Sequence, residues 1–192
     1  EKTIRATKWE KSRPIAPQTR HPMRKLFHIT GRAWSFVTAN LPGEHFVIKH
    51  GGQVPQFIKN TVDDLKRHGK VHTVIKDIEG CFPNMPKEAI KFGLREMLSK
   101  ITKEKGYENV IVPNKDSEPC TWITKKRYGI KKIPFELMLE VMEFALENTF
   151  IKDLQGNLWR QVQGIPMGDP HSPGMTIGAC AWMEHEWMQT LA

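Results

Sequence analysis

Apolar positions recur along most of the chain at spacings of three and four, which predicts a protein built chiefly from amphipathic helices. The first stripe is Met23, Leu26, Phe27, Trp34, Val37 and Leu41; Pro22 suits its first turn, and Pro42 and Gly43 end it. A second stripe, Val54, Phe57, Ile58, Val62 and Leu65, runs toward Gly69, which fits a C-terminal cap. A third helix opens at Pro86 and turns Ile90, Leu94, Met97, Leu98 and Ile101 inward. A fourth runs from Pro134 to about Glu147 with Leu137, Val141, Met142 and Ala145 on its apolar face. The segment from about Met175 to Leu191 predicts a buried helix.

Between these stripes the period changes. The opening KTIRATKWEKSRPIAP alternates apolar and basic residues and predicts a strand, a turn and a second strand with cations on one face. Val71, Val74, Ile75 and Ile78 form a short β-branched run without strict alternation, as in a strand covered on both faces. The stretch 104–133 is polar, lysine-rich and loop-like, with short strands around Val110–Val112 and Thr121–Thr124. TFIKD, the LQGN turn and LWRQVQ predict a β-hairpin, and the Gly- and Pro-rich GIPMGDPHSPG a loop. The fold class is α+β, helices packed on a small, mostly antiparallel sheet.

Composition narrows the function classes only partly. A 39% hydrophobic content suffices for a core, and no apolar run approaches a membrane span. No charged-then-apolar leader is present. A chain that opens at Glu1 rather than Met is expected of a processed or truncated product, so compartment, nucleus or organelle, stays unassigned. The 3 cysteines (Cys81, Cys120 and Cys180) lie far apart without CxxC pairing, which predicts reduced, mostly buried thiols rather than a zinc site or disulfide framework. His185, in MEHEWM, lacks the HExxH spacing. Lys plus Arg number 29 against 21 Asp plus Glu, a net charge of +8. That excess favours a polyanionic partner, nucleic acid above all, although a solvated basic surface explains it equally well.

Candidate chemistry begins at Asp77, directly after the buried strand VHTVIK, where a charge is costly unless it is ligated or paired. A strand-end aspartate capping a turn is the plainer alternative. The string DIEGCFPNMPKEAI resembles the first palm motif of reverse transcriptases, and most closely that of Penelope-like retroelements, relatives of telomerase. NTFIKDLQGNLWRQVQGIPMGDPHSPG is similar to the same group's hairpin and second palm motif, and KWEKSRPIAP to its fingers motif. Three motifs in the family's order span nearly the whole chain.

The resemblance implies the fingers and first half of the palm of a right-hand polymerase. Residues 1–70 would be fingers-like and 71–192 a partial palm, with a fingers-like insertion at about 100–160. Asp77 would be a catalytic metal ligand for magnesium or manganese, joined by the backbone carbonyl of Ile78. Phe82 would be the steric gate that excludes a 2′-hydroxyl; Gln163 and Gly164 would position the nucleotide. Arg13, Lys8, Lys11 and Arg5 would hold the triphosphate, as arginine's fork suits phosphate. Met167, Gly168, Ser172 and Pro173 would face nucleic acid, the last two opening a helix with free N–H groups near phosphate. The implied partners are an RNA template, a DNA primer and another chain or segment supplying the rest of palm and thumb.

Departures are equally legible. Past Gly164 the acids are Asp169, Glu184 and Glu186, and none forms the Asp-Asp pair of the family's third palm motif. Asp63-Asp64 sits in a helical stripe, whereas a catalytic pair needs a hairpin turn. His171 and Asp169 stand where many relatives carry leucine and serine. Two readings follow: an RNA-directed DNA polymerase domain if completed by an Asp-Asp segment, or an inactive derivative retained as a structural or RNA-binding subunit.

Overall fold

A computed structural model describes residues 21–41, 51–70, 72, 78, 80–123, 128–153 and 155–191 of the 192-residue chain. The basic opening segment and most of the run from Val71 to Glu79, with the strand assigned there, lie outside them. The described elements are α1 (Arg24–Thr38), α2 (Val54–Leu65), α3 (Cys81–Asn84), α4 (Lys87–Lys105), β1 (Asn109–Pro113), β2 (Ile130–Pro134), α5 (Phe135–Glu147), β3 (Phe150–Lys152), β4 (Leu158–Arg160) and α6 (Ser172–Gln189). Among the described residues these make an α+β fold of six α-helices and two separate two-stranded antiparallel sheets.

The core lies where α1, α4, α5 and α6 meet. The predicted inward set of α4 (Ile90, Leu94, Met97, Leu98 and Ile101) is buried, with Trp34 and Val37 from α1, Met138 and Met142 from α5 and Met175 from α6. Burying each such side chain contributes roughly 1.5–3 kcal/mol, so this cluster dominates the stability of the unit. Helix α4 is delimited by Pro86, extended at its N-cap, and by Gly106 in the left-handed region at its C-cap.

Four expectations change. The strand expected around Val110–Val112 is present as β1, but its ladder partner is β2, in the stretch read as loop, with Val110 opposite Ile133 and Ile111 opposite Lys132. Thr121 adds one antiparallel bridge to Ile111, and Trp122 stacks on Tyr107 at 5.0 Å and 4°, which anchors the polar loop to the core. Helix α2 has the predicted limits, yet no residue of it is buried; Phe57 and Ile58 are about half exposed among the described residues. Helix α6 starts at Ser172, where the motif resemblance put its opening and three residues before the apolar pattern did, and it is not wholly buried: Met183 and Trp187 are exposed. The cysteines are free but half-buried rather than buried.

Candidate nucleic-acid interface

The first-motif and second-motif strings, some eighty positions apart, meet in space. Gly80 (φ +61°) turns the chain into α3, a single helical turn, and Met85 and Pro86 are extended after it. This turn aims backbone carbonyls at the loop before α6. The Ile165 N–H donates to Phe82 O at 2.7 Å, and Gln163 Nε2 donates to Asn84 O at 3.3 Å. Between them Gly164 has φ +78°, and a Cβ there would sit 2.5 Å from both Phe82 O and Pro83 O. Only glycine admits both this backbone conformation and this approach.

The far side of the loop is fastened to α1 and α6. The Ser172 hydroxyl donates to Pro166 O, and its N–H donates to Asp169 O at 3.1 Å. Asp169 Oδ1 accepts from His171 N–H at 2.7 Å and lies 2.6 Å from His171 Nδ1; His171 Nε2 lies 2.5 Å from Thr30 Oγ1 on α1. Because a carboxylate only accepts, the Nδ1 proton is fixed by Asp169. Thr30 Oγ1 is also 2.8 Å from Leu26 O, so its single proton serves either that carbonyl or the imidazole. Both acid and imidazole side chains are fully buried.

On the solvent side, α1, the β1–β2 loop and residues 168–170 enclose a cleft of about 870 Å³. Arg24, Lys25 and His28 of α1 line one wall and Lys131 of β2 another; Ile29, Pro113 and Pro170 supply apolar surface. Arg32 secures the wall: its guanidinium donates to Pro113 O (2.7 Å), Glu118 O (2.7 Å), Lys115 O (3.1 Å) and Asp116 Oδ1 (3.1 Å). Asp116 also bonds His28 at 3.0 Å, which, with the charge of His28 and Arg32, pulls its carboxyl below the usual range. Lys131 Nζ donates to Asn114 Oδ1 at 2.5 Å. The side chains of Arg24 and Lys25, which line this cleft, make no hydrogen bond or ion pair among the described residues.

Of the residues singled out in the sequence, Phe82 is half-buried against the core, Gln163 and Gly168 are exposed, Met167 is half-buried and Gly164 is buried. Gly168, with φ +97°, borders the cleft. Pro173 is exposed, whereas Ser172 is buried and holds the loop. Ile78 is 65% exposed. Asp77, Arg5, Lys8, Lys11 and Arg13 lie outside the described residues. Among the described residues no group of three or more His, Cys, Asp or Glu could hold a metal. Asp63 and Asp64 are helical, exposed and paired with Lys66 and Arg67 at 3.4 Å. Sequence reading passed over Arg24, His28 and Arg32, yet their spacing of four marks a cationic stripe on α1.

No protein-family profile matches the chain, and no curated protein matches it. Among solved structures it is similar to telomerase from Candida albicans in complex with a fragment of telomeric RNA, with a TM-score of 0.59 and 15% identity. The fold is telomerase-like. The match covers 88% of this chain and 28% of that one, so the chain spans under a third of that protein.

Proposed function

We propose that the chain is a reverse-transcriptase-related domain, fingers-like over residues 1–70 and palm-like over 71–192, that grips RNA in the α1 cleft. The observation that carries the reading is the junction of Phe82 and Gly164: two strings resembling palm motifs pack backbone to backbone, in a loop that also borders a cleft lined by Arg24, Lys25, Arg32 and Lys131. In this reading Arg24, Lys25 and Lys131 meet phosphates, and Gly168 lets a strand pass close to backbone. Phosphate contacts position the strand without reading its sequence.

Joined to a segment bearing an Asp-Asp pair, the domain would act as an RNA-directed DNA polymerase. Asp77 and the Ile78 carbonyl would hold a magnesium ion, whose charge neutralises the triphosphate. Arg13, with Lys8, Lys11 and Arg5, would add cations to the same phosphates. The Phe82 ring would close the space a 2′-hydroxyl needs, and Gln163 and Gly164 would hold the nucleotide against it.

Anisotropy titration of a labelled single-stranded RNA tests the grip. Affinity should fall steeply with salt, and the double variant Arg24→Gln/Lys25→Gln should flatten the log–log slope by about 1.4, or roughly 0.7 per lost phosphate contact. Absence of binding at low salt, or an unchanged slope in the variant, overturns the reading.

A further inference from the structure

The β3–β4 hairpin projects a face that the cleft does not use. Phe150 pairs with Arg160 and Lys152 with Leu158, and directly opposed residues share a face, as do residues two apart on one strand. One side of the hairpin is therefore Phe150, Lys152, Leu158 and Arg160, all exposed, Phe150 by 48% and Leu158 by 68%. Ile151 and Trp159 take the other side.

The platform is held firmly. Asp153 accepts from the Asn157 N–H (2.8 Å), Asn157 Nδ2 (2.9 Å) and Trp159 Nε1 (2.9 Å), which fixes the turn. At the base, Gln161 N–H donates to Thr149 O at 2.9 Å, and Lys87 Nζ of α4 donates to Leu146 O and, at 2.9 Å, to Gln161 O. Glu147, whose carboxyl feels the charge of Arg160, is bonded by Lys91 at 2.8 Å. The face itself carries two cations and no acid.

We infer that this face is a second docking surface for single-stranded nucleic acid, on which a base stacks against Phe150 while its flanking phosphates meet Arg160 and Lys152. An aromatic ring alternating with cations is the recurrent platform for unpaired strands, because every base has a π-face and every linkage a charge. A purely apolar protein partner would bury two cations without a counter-charge, at high cost. The surface rests on the RNA-gripping reading above but uses different residues, so the two can fail separately.

The test is an anisotropy titration of a labelled uridine 12-mer with the full chain, at two salt concentrations, alongside light scattering for oligomeric state. Phe150→Ala should weaken binding by about 5- to 100-fold, whereas Phe150→Trp should retain it. Lys152→Gln/Arg160→Gln should lower the salt slope by about 1.4. Parental affinity and slope in the hairpin variants, with the Arg24→Gln/Lys25→Gln variant weakened, would overturn the surface and leave the cleft standing. Hairpin variants that lose self-association but not RNA would reassign the face to protein contact. No binding by the parent chain at low salt would overturn both.

Discussion

His171 Nδ1 lies 2.6 Å from Asp169 Oδ1 in a site where both side chains are fully buried, and Asp169 Oδ2 has no hydrogen-bond partner among the described residues. These are the two positions at which the sequence departs from the motif it resembles, and their side chains touch each other. A buried ionisable pair is costly to break from one side and cheap to replace whole. His171→Leu alone should therefore destabilise by about 3–5 kcal/mol, since it strands a carboxyl whose second oxygen is already unpaired. Asp169→Ser alone should cost less, and the double variant less than His171→Leu. Urea denaturation of the cycle should give a coupling of about 1–3 kcal/mol; additive single effects would mean the pair does not act as a unit.

Gly164 and Gly156 both have positive φ, +78° and +92°, but only Gly164 also faces backbone at 2.5 Å. Near Gly156 the closest atom is the flexible Lys152 Cε at 3.7 Å. Gly156→Ala should cost about 1–2 kcal/mol, from backbone strain alone. Gly164→Ala adds a clash with two carbonyls that cannot swing away, and should cost about 3 kcal/mol or more. Thermal melts of the two variants separate strain from steric contact, and equal losses would refute the distinction.

These contrasts also show what the sequence disclosed. Helix α4 was legible because Ile90, Leu94, Met97, Leu98 and Ile101 keep one period and a proline and a glycine bound it. The meeting of Phe82 with Gly164 was not legible in any local pattern, since a contact across some eighty residues leaves no periodic trace. Strand β1 was legible in Val110–Val112, whereas β2 was hidden because Lys131 and Lys132 mask its alternation, and the loop between them is anchored through Trp122 stacking on Tyr107, a tertiary contact. Arg24 and Lys25 carry no motif of their own, and only β2 and the loop at Gly168 give them an opposite wall.

Arg32 tests that wall. Its guanidinium makes four bonds to the 113–118 segment, three of them to backbone carbonyls, with the side chain 16% exposed. A lysine carries the charge but not the planar fork, so Arg32→Lys should not be conservative. We expect a loss of about 2–3 kcal/mol, and amide exchange quickened across residues 114–118 while α4 keeps its protection. Protection unchanged in that loop would show that other contacts hold it.

Cys180 gives a test on the pH axis. Burial, then the neighbouring Cys81 and Glu184, raises its thiol to about 11 from the ordinary 9.0. A thiol is neutral when protonated, so a raised value means that the fold disfavours the thiolate. Below pH 9 neither folded nor unfolded chain ionises this group, and it leaves stability unaffected. Between pH 9 and about 11 the unfolded chain releases the proton and the folded chain keeps it, so stability drains away as pH rises through that window. The thiolate is also the nucleophile, so alkylation of native Cys180 should stay slow at pH 8 and climb only toward pH 11. Two pH units correspond to about a hundredfold less thiolate than an unperturbed thiol provides. Mass-spectrometric mapping of iodoacetamide adducts across pH 7 to 11, with Cys180→Ala as the blank for the stability window, measures both effects. Rapid labelling of the folded chain at pH 8 would show that burial on α6 beside Cys81 does not shield Cys180.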